Sequence, residues 1–122
     1  MPYQPPEPRT VLVVEDHDNE REVIVRGLRE EGYDVIEASD GELALSVLAS
    51  GRRIDLLVTD IAMPNMGGME LANVLKVMRH PPILLFMSAY QVESSMVPGP
   101  LLRKPIRPSE LVAEVRRLLA VA

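Results

Sequence analysis

Short aliphatic runs, each too brief for a helix, recur along this chain and are separated by stretches of helical period. VLVVE (11–15), DVIEA (34–38), IDLLVT (54–59) and ILLFM (83–87) are the clear examples, and a shorter run lies near Leu101 to Arg103. A strand that is apolar at successive positions leaves neither face for water, so such runs require cover on both sides. Between them, DNEREVIVRGLREEG sets Val23, Ile24, Gly27 and Leu28 on one helical face, with Asp18 or Asn19 as the expected cap and Gly32 as the stop. Asp40 caps the next stretch, GELALSVLAS, which runs to Gly51. Gly68 opens a third helix with Leu71, Val74, Leu75 and Met78 on one face, broken at His80-Pro81-Pro82. Pro98 and Pro100 leave room only for short or irregular helix between Ser88 and Lys104. A closing helix starts near Pro108 and turns Leu111, Val112, Val115, Leu118 and Leu119 inward. Strands alternating with helices predict an α/β doubly wound fold: a five-stranded parallel sheet, helices on both faces and a shortened fourth helix.

At 122 residues there is room for one domain. Residues 1–9 carry four of the eleven prolines and read as a leader or linker, which leaves 10–122 as the folded unit. The net charge of -5 argues against direct nucleic-acid binding and calls for cationic partners or a metal. The absence of cysteine excludes disulfides and thiolate metal sites. No signal pattern or membrane-length apolar run is present, so a soluble cytoplasmic protein is expected.

Doubly wound sheets bind ligands beyond the carboxyl ends of their strands. Glu15 and Asp16 end the first strand, Asp60 the third, Ser88 the fourth and Lys104 the fifth. Carboxylates brought together at adjacent strand ends repel, by about 4 kcal/mol per pair at 4 Å and an effective dielectric near 20. A hard divalent cation relieves this, and Mg²⁺, with Mn²⁺ as second candidate, suits a few carboxylates plus water and phosphate. Asp60, on a rigid strand and followed by a turn through Pro64, Gly67 and Gly68, is placed to attack phosphorus. Lys104 and the Ser88 hydroxyl would then stabilise the phosphoryl oxygens. Taken singly, each of these residues fits a turn, a solvated loop or a surface charge equally well; their coincidence carries the reading. His17 reads as a loop residue and His80 as a helix C-terminal charge, and neither joins the site. The methionines read as core or loop filling.

With VLVVED, VTDIAMPNMGGMEL, FMSA and RKPI in this order and spacing, the chain resembles the response-regulator receiver domains of two-component signalling over nearly its whole folded length. The resemblance implies the flavodoxin-like strand order 2-1-3-4-5 and Asp60 as phosphoacceptor. It implies Glu15, Asp16, Asp60 and the backbone carbonyl of Ala62 as Mg²⁺ ligands, Ser88 as the switch hydroxyl, Lys104 as the phosphoryl-binding lysine, and a cis peptide before Pro105. The implied partners are a histidine kinase or histidine phosphotransfer protein, in a signalling role rather than that of an enzyme. A chain ending at Ala122 then suggests a single-domain regulator or the receiver of a hybrid histidine kinase.

Departures from the family pattern are equally specific. Glu15 replaces the commoner aspartate, Leu101 stands where an aromatic switch residue is usual, and Ala62 and Tyr90 flank the site. The shortened segment before Lys104 reduces the face through which relatives commonly signal. A degenerate receiver that binds partners without phosphate is therefore the alternative. An enzyme on a similar sheet fits poorly, because EDHDNE would repel a bound phosphate and a haloacid-dehalogenase-type phosphatase would want Asp at Ala62.

Overall fold

A computed structural model of the chain describes residues 2–3 and 7–120. Five strands, β1 (Thr10–Val14), β2 (Asp34–Ala38), β3 (Leu56–Asp60), β4 (Ile83–Ser88) and β5 (Leu101–Arg103), form one parallel sheet in the order β2-β1-β3-β4-β5. Four helices connect or close them: α1 (Asp18–Glu30), α2 (Gly41–Ala49), α3 (Gly68–Leu75) and α4 (Pro108–Ala120). The fold is the expected flavodoxin-like one. Residues 2–3 and 7–9 lie in neither helix nor strand, and residues 1 and 4–6 of the expected leader fall outside the described residues.

The apolar runs are continuous because alternate residues serve opposite faces. Val11, Val13, Leu56, Val58, Leu85 and Met87 pack with α1 and α4, whereas Leu12, Val14 and Leu57 pack with α2 and α3. All nine are fully buried. On α1 the inward residues are Ile24, Val25 and Leu28, while Val23, expected on that face, is about half exposed. Gly27 does face inward: a Cβ there would lie 3.4 Å from the Pro108 side chain, in ordinary van der Waals contact with α4. Gly32 (φ 95°) and Gly51 (φ 85°) follow the ends of α1 and α2 in the left-handed region that glycine adopts without strain.

Several boundaries differ from expectation. The cap position of α1 is His17, which makes no side-chain cap bond, because Asp18 lies inside the helix and its carboxylate accepts from Arg21 at 2.8 Å. Asp40 caps α2 as predicted, accepting from the Leu43 N–H at 2.8 Å. β3 begins at Leu56 rather than 54; just before it the Asp55 side chain accepts from the Thr10 N–H and Arg53. α3 stops at Leu75, leaving Met78 beyond the helix but packed against the same core, and His80 well past the helix end.

Between β4 and β5 the only helix among the described residues is a single 3-10 turn, Ser94–Met96. This connection packs on Phe86, which is fully buried against Ala72 and Val97, with Gly99 close to its ring. Phe86→Ala is therefore expected to cost about 3–5 kcal/mol in urea unfolding, and Met96→Ala, on the exposed side of the turn, no more than about 0.5. Equal costs would show that the turn, not the ring, seals this face.

Candidate functional site

Because β1 and β3 are parallel neighbours, their carboxyl ends deliver Glu15, Asp16 and Asp60 to one place. Glu15 is wholly buried, Asp60 is 5% exposed, and the three residues each offer a carboxylate oxygen within 4.8 Å of the others. Lys104 follows β5, and its Nζ donates to Asp60 Oδ2 at 2.7 Å, to Glu20 Oε2 at 2.8 Å and to Glu15 Oε1. All three ammonium donors are thus used on carboxylates. Asp60 Oδ1 accepts from the Ala62 N–H at 3.3 Å, which places the exposed Ala62 backbone beside the carboxylate.

The charges in this pocket are unbalanced. Burial pushes the Glu15 carboxyl up to about 7; the Lys104 bond opposes this, and Glu20, Asp16 and Asp60 reinforce it. Burial likewise works against the Lys104 ammonium, but its bonds to Asp60, Glu15 and Glu20 win and hold its pKa above the usual lysine value. The Lys104 bond lowers the Glu20 pKa. Three carboxylates therefore share one ammonium, and a fourth, Asp16, lies beside them without it. The buried Asp16 Oδ1 has no hydrogen-bond partner, and His17 Nδ1 is 3.5 Å from it. An orphaned carboxylate oxygen among other carboxylate oxygens is what a hard, oxygen-seeking divalent cation would complete. Glu15, Asp16 and Asp60 fit such an ion.

Ser88 ends β4 and is buried, but its hydroxyl is occupied in its own loop: Oγ donates to the Tyr90 carbonyl and accepts from the Tyr90 N–H, both at 3.1 Å. The Lys104 N–H donates to the Ser88 carbonyl at 2.8 Å, and the Lys104–Pro105 peptide is cis. The adjoining β3–α3 loop explains both of its glycines. A Cβ on Gly68 would lie 2.4 Å from the Asp60 carbonyl oxygen, and one on Gly67 2.6 Å from that of Ile61. Side chains there would push the loop off the carboxylate.

Two residues absent from the sequence reading join the site. Glu20, on the first turn of α1, reaches Lys104, and Arg21 pins the acidic loop by donating to the Glu15 carbonyl at 2.8 Å while also bonding Asp18 and Glu37. Their signal was the short distance in sequence between the end of β1 and the first turn of α1. His17 lies exposed beside the cluster, where the charge of Asp16 foremost, then Glu15 and Glu20, raises its pKa.

Comparison with known proteins is consistent with this geometry. The family profile described as response regulator receiver domain matches residues 11–116. The chain belongs to that family. It is a receiver of two-component signalling. A probable transcriptional regulatory protein of Picosynechococcus is 36% identical over 121 residues, covering 89% of this chain and 48% of that protein. The sensor kinase CckA of Brucella abortus is 36% identical over 118 residues, covering 90% of this chain and 12% of the kinase. The receiver thus spans half or less of these two relatives. Among solved structures, response regulator TrrA from Thermotoga maritima, in complex with Mg²⁺-BeF, is 32% identical with a TM-score of 0.79, covering 90% of this chain and 98% of that one.

Removing the cation from this cluster tests how far it holds the receiver together. In chelator, Lys104→Met is expected to lose about 3–5 kcal/mol of unfolding free energy, since Glu15 is left buried and unpaired. The loss should be smaller at pH 5 than at pH 8. A carboxyl whose folded pKa is raised takes a proton below that pKa, so its destabilisation grows as pH rises through it. A loss below about 1 kcal/mol at both pH values, as for an exposed ion pair, would contradict the burial argument.

Proposed function

We propose that this receiver is a phosphoacceptor in a two-component phosphorelay, taking a phosphoryl group on Asp60 from a phosphohistidine of a histidine kinase or histidine phosphotransfer protein. The observation that carries the proposal is the Lys104 ammonium bridging Asp60 and Glu15 beside the unpartnered Asp16 oxygen. An Asp60 carboxylate oxygen attacks phosphorus, the P–N bond breaks, and the imidazole leaves with the electron pair and takes a proton. Glu15, Asp16 and Asp60, with the Ala62 carbonyl, would hold Mg²⁺, or Mn²⁺ in its place. When bound, the ion supplies neutralisation of the phosphoryl oxygens.

Within the chain, Lys104 holds the Asp60 carboxylate in place before transfer. Once charge moves onto the phosphoryl oxygens, Lys104 can exchange Asp60 Oδ2 for one of them. To donate to a phosphoryl oxygen, Ser88 must leave the Tyr90 carbonyl, so phosphorylation and the β4–β5 loop conformation are coupled. Water attack on the acyl phosphate returns the receiver to its starting state, and these reactions at Asp60 are the only chemistry assigned to it. The changed loop would alter binding to a downstream protein.

A second reading, a phosphate-independent binding module, is favoured by Leu101 in the aromatic position and by the single 3-10 turn between β4 and β5. Intact-protein mass spectrometry after incubation with acetyl phosphate separates the two. The phosphorelay reading expects one phosphoryl adduct that requires Mg²⁺, vanishes in chelator and is absent from a folded Asp60→Ala variant. No adduct in folded wild-type protein, or an adduct that survives Asp60→Ala, would overturn it.

A further inference from the structure

The sheet has a second functional-looking end. At the amino ends of β1, β3 and β4, opposite the carboxylate cluster, lies a cleft of about 800 Å³. Arg9 before β1, Arg52 and Arg53 before β3 and Arg79 before β4 all line it. Asp55 is its one lining carboxylate, and both its oxygens are committed, Oδ2 to the Thr10 N–H at 2.7 Å and Oδ1 to Arg53 at 3.2 Å. Among the described residues, Arg9, Arg52 and Arg79 form no ion pair. The chain has five more acidic residues than Lys and Arg, yet four of its thirteen basic side chains meet here around one engaged acid. Arg52, Arg53 and Arg79 lie beyond the last turns of α2 and α3, which carry no basic residue, so attraction to a helix C-terminus does not account for them. Nor does it account for Arg9 or for the convergence of all four on one concavity.

The inner surface is apolar. Leu48, Ile54, Met78 and Ile83 line it together with the Pro81-Pro82 pair. An inorganic anion would use the arginines and leave that surface wetted, whereas a ligand with a flat hydrophobic body would use both. Guanidinium groups match phosphate oxygens in two-pronged fashion and also stack on aromatic planes. The volume falls within the roughly 300–1,000 Å³ of small-molecule sites. A long polyanion or acidic peptide would have to run out of the cleft onto a surface that is acidic overall. We propose that this cleft binds a nucleotide, its phosphates on the arginines and its base on the accessible Met78, Pro81 and Ile83 surface.

The test uses the full chain in chelator, so that no metal-bridged phosphate reaches the carboxylate end, with ADP as probe. Amide NMR should show ADP shifts centred on residues 52–55 and on Arg79, His80 and Ile83, which flank the amide-less Pro81-Pro82 pair. Arg52→Glu combined with Arg79→Glu, both at exposed positions, should weaken ADP at least tenfold, about 1.4 kcal/mol. Adenosine and pyrophosphate should each bind at least about tenfold more weakly than ADP. The proposal is overturned by absent shifts, by shifts centred on Asp60, or by ADP affinity unchanged in the folded double variant. Pyrophosphate binding as tightly as ADP would overturn it in favour of a simple anion cleft, and a poly-glutamate peptide binding more tightly would overturn it in favour of an acidic protein segment.

Discussion

Three carboxylates held by one ammonium govern this molecule. Lys104 reaches Glu15, Glu20 and Asp60 from the end of an edge strand, and so ties the ends of β1, α1, β3 and β5 together around a polar point in an otherwise apolar fold. Like charges packed at this spacing would drive those elements apart. The structure tolerates them because Lys104 is present and because the backbone N–H groups of His17 and Ala62 donate to Glu15 Oε2 and Asp60 Oδ1, while Arg21 holds the Glu15 carbonyl. It does not satisfy them completely: the Asp16 oxygen is left over. Incomplete compensation is useful in a switch, since an arriving cation or phosphoryl group then has a large differential effect.

Much of this was legible in the sequence because the physics involved is local or periodic. The alternation of core faces at Val11 to Val14 follows from strand geometry alone, and the parallel order of the strands puts Glu15, Asp60, Ser88 and Lys104 at one end without further information. Glu20 was not legible, because its part depends on where the first turn of α1 points relative to a lysine 84 residues away. The capping acid of α1 was misread for a related reason. Asp18 finds a better partner in Arg21 than in the helix backbone, a competition that sequence preference does not resolve. The packing of Phe86 against Val97 and the bond from the Ser88 hydroxyl to Tyr90 depend on how the β4–β5 loop folds back, which periodicity does not encode.

Charge is distributed unevenly along the strand direction. The carboxylate cluster lies at the carboxyl ends; at the amino ends Arg9, Arg52, Arg53 and Arg79 line one cleft, and Glu7, Asp34 and Asp55 line the adjoining one with Arg9 and Arg53. Fully buried aliphatic strand residues lie between the two ends. The reduced β4–β5 connection lies on one flank and belongs to the carboxylate end, through Ser88 and the Lys104 backbone.

Glu15, Asp16 and Asp60 at the carboxyl ends form one unit suited to a divalent cation. Thermal unfolding with and without Mg²⁺ at constant ionic strength, for wild type and Asp16→Asn, tests it most directly, because an ion that binds only the folded state raises Tm by mass action. The account predicts a Tm that climbs with Mg²⁺ in the wild type and stays flat in Asp16→Asn. A wild-type Tm indifferent to Mg²⁺, or an equal rise in both proteins, would contradict it.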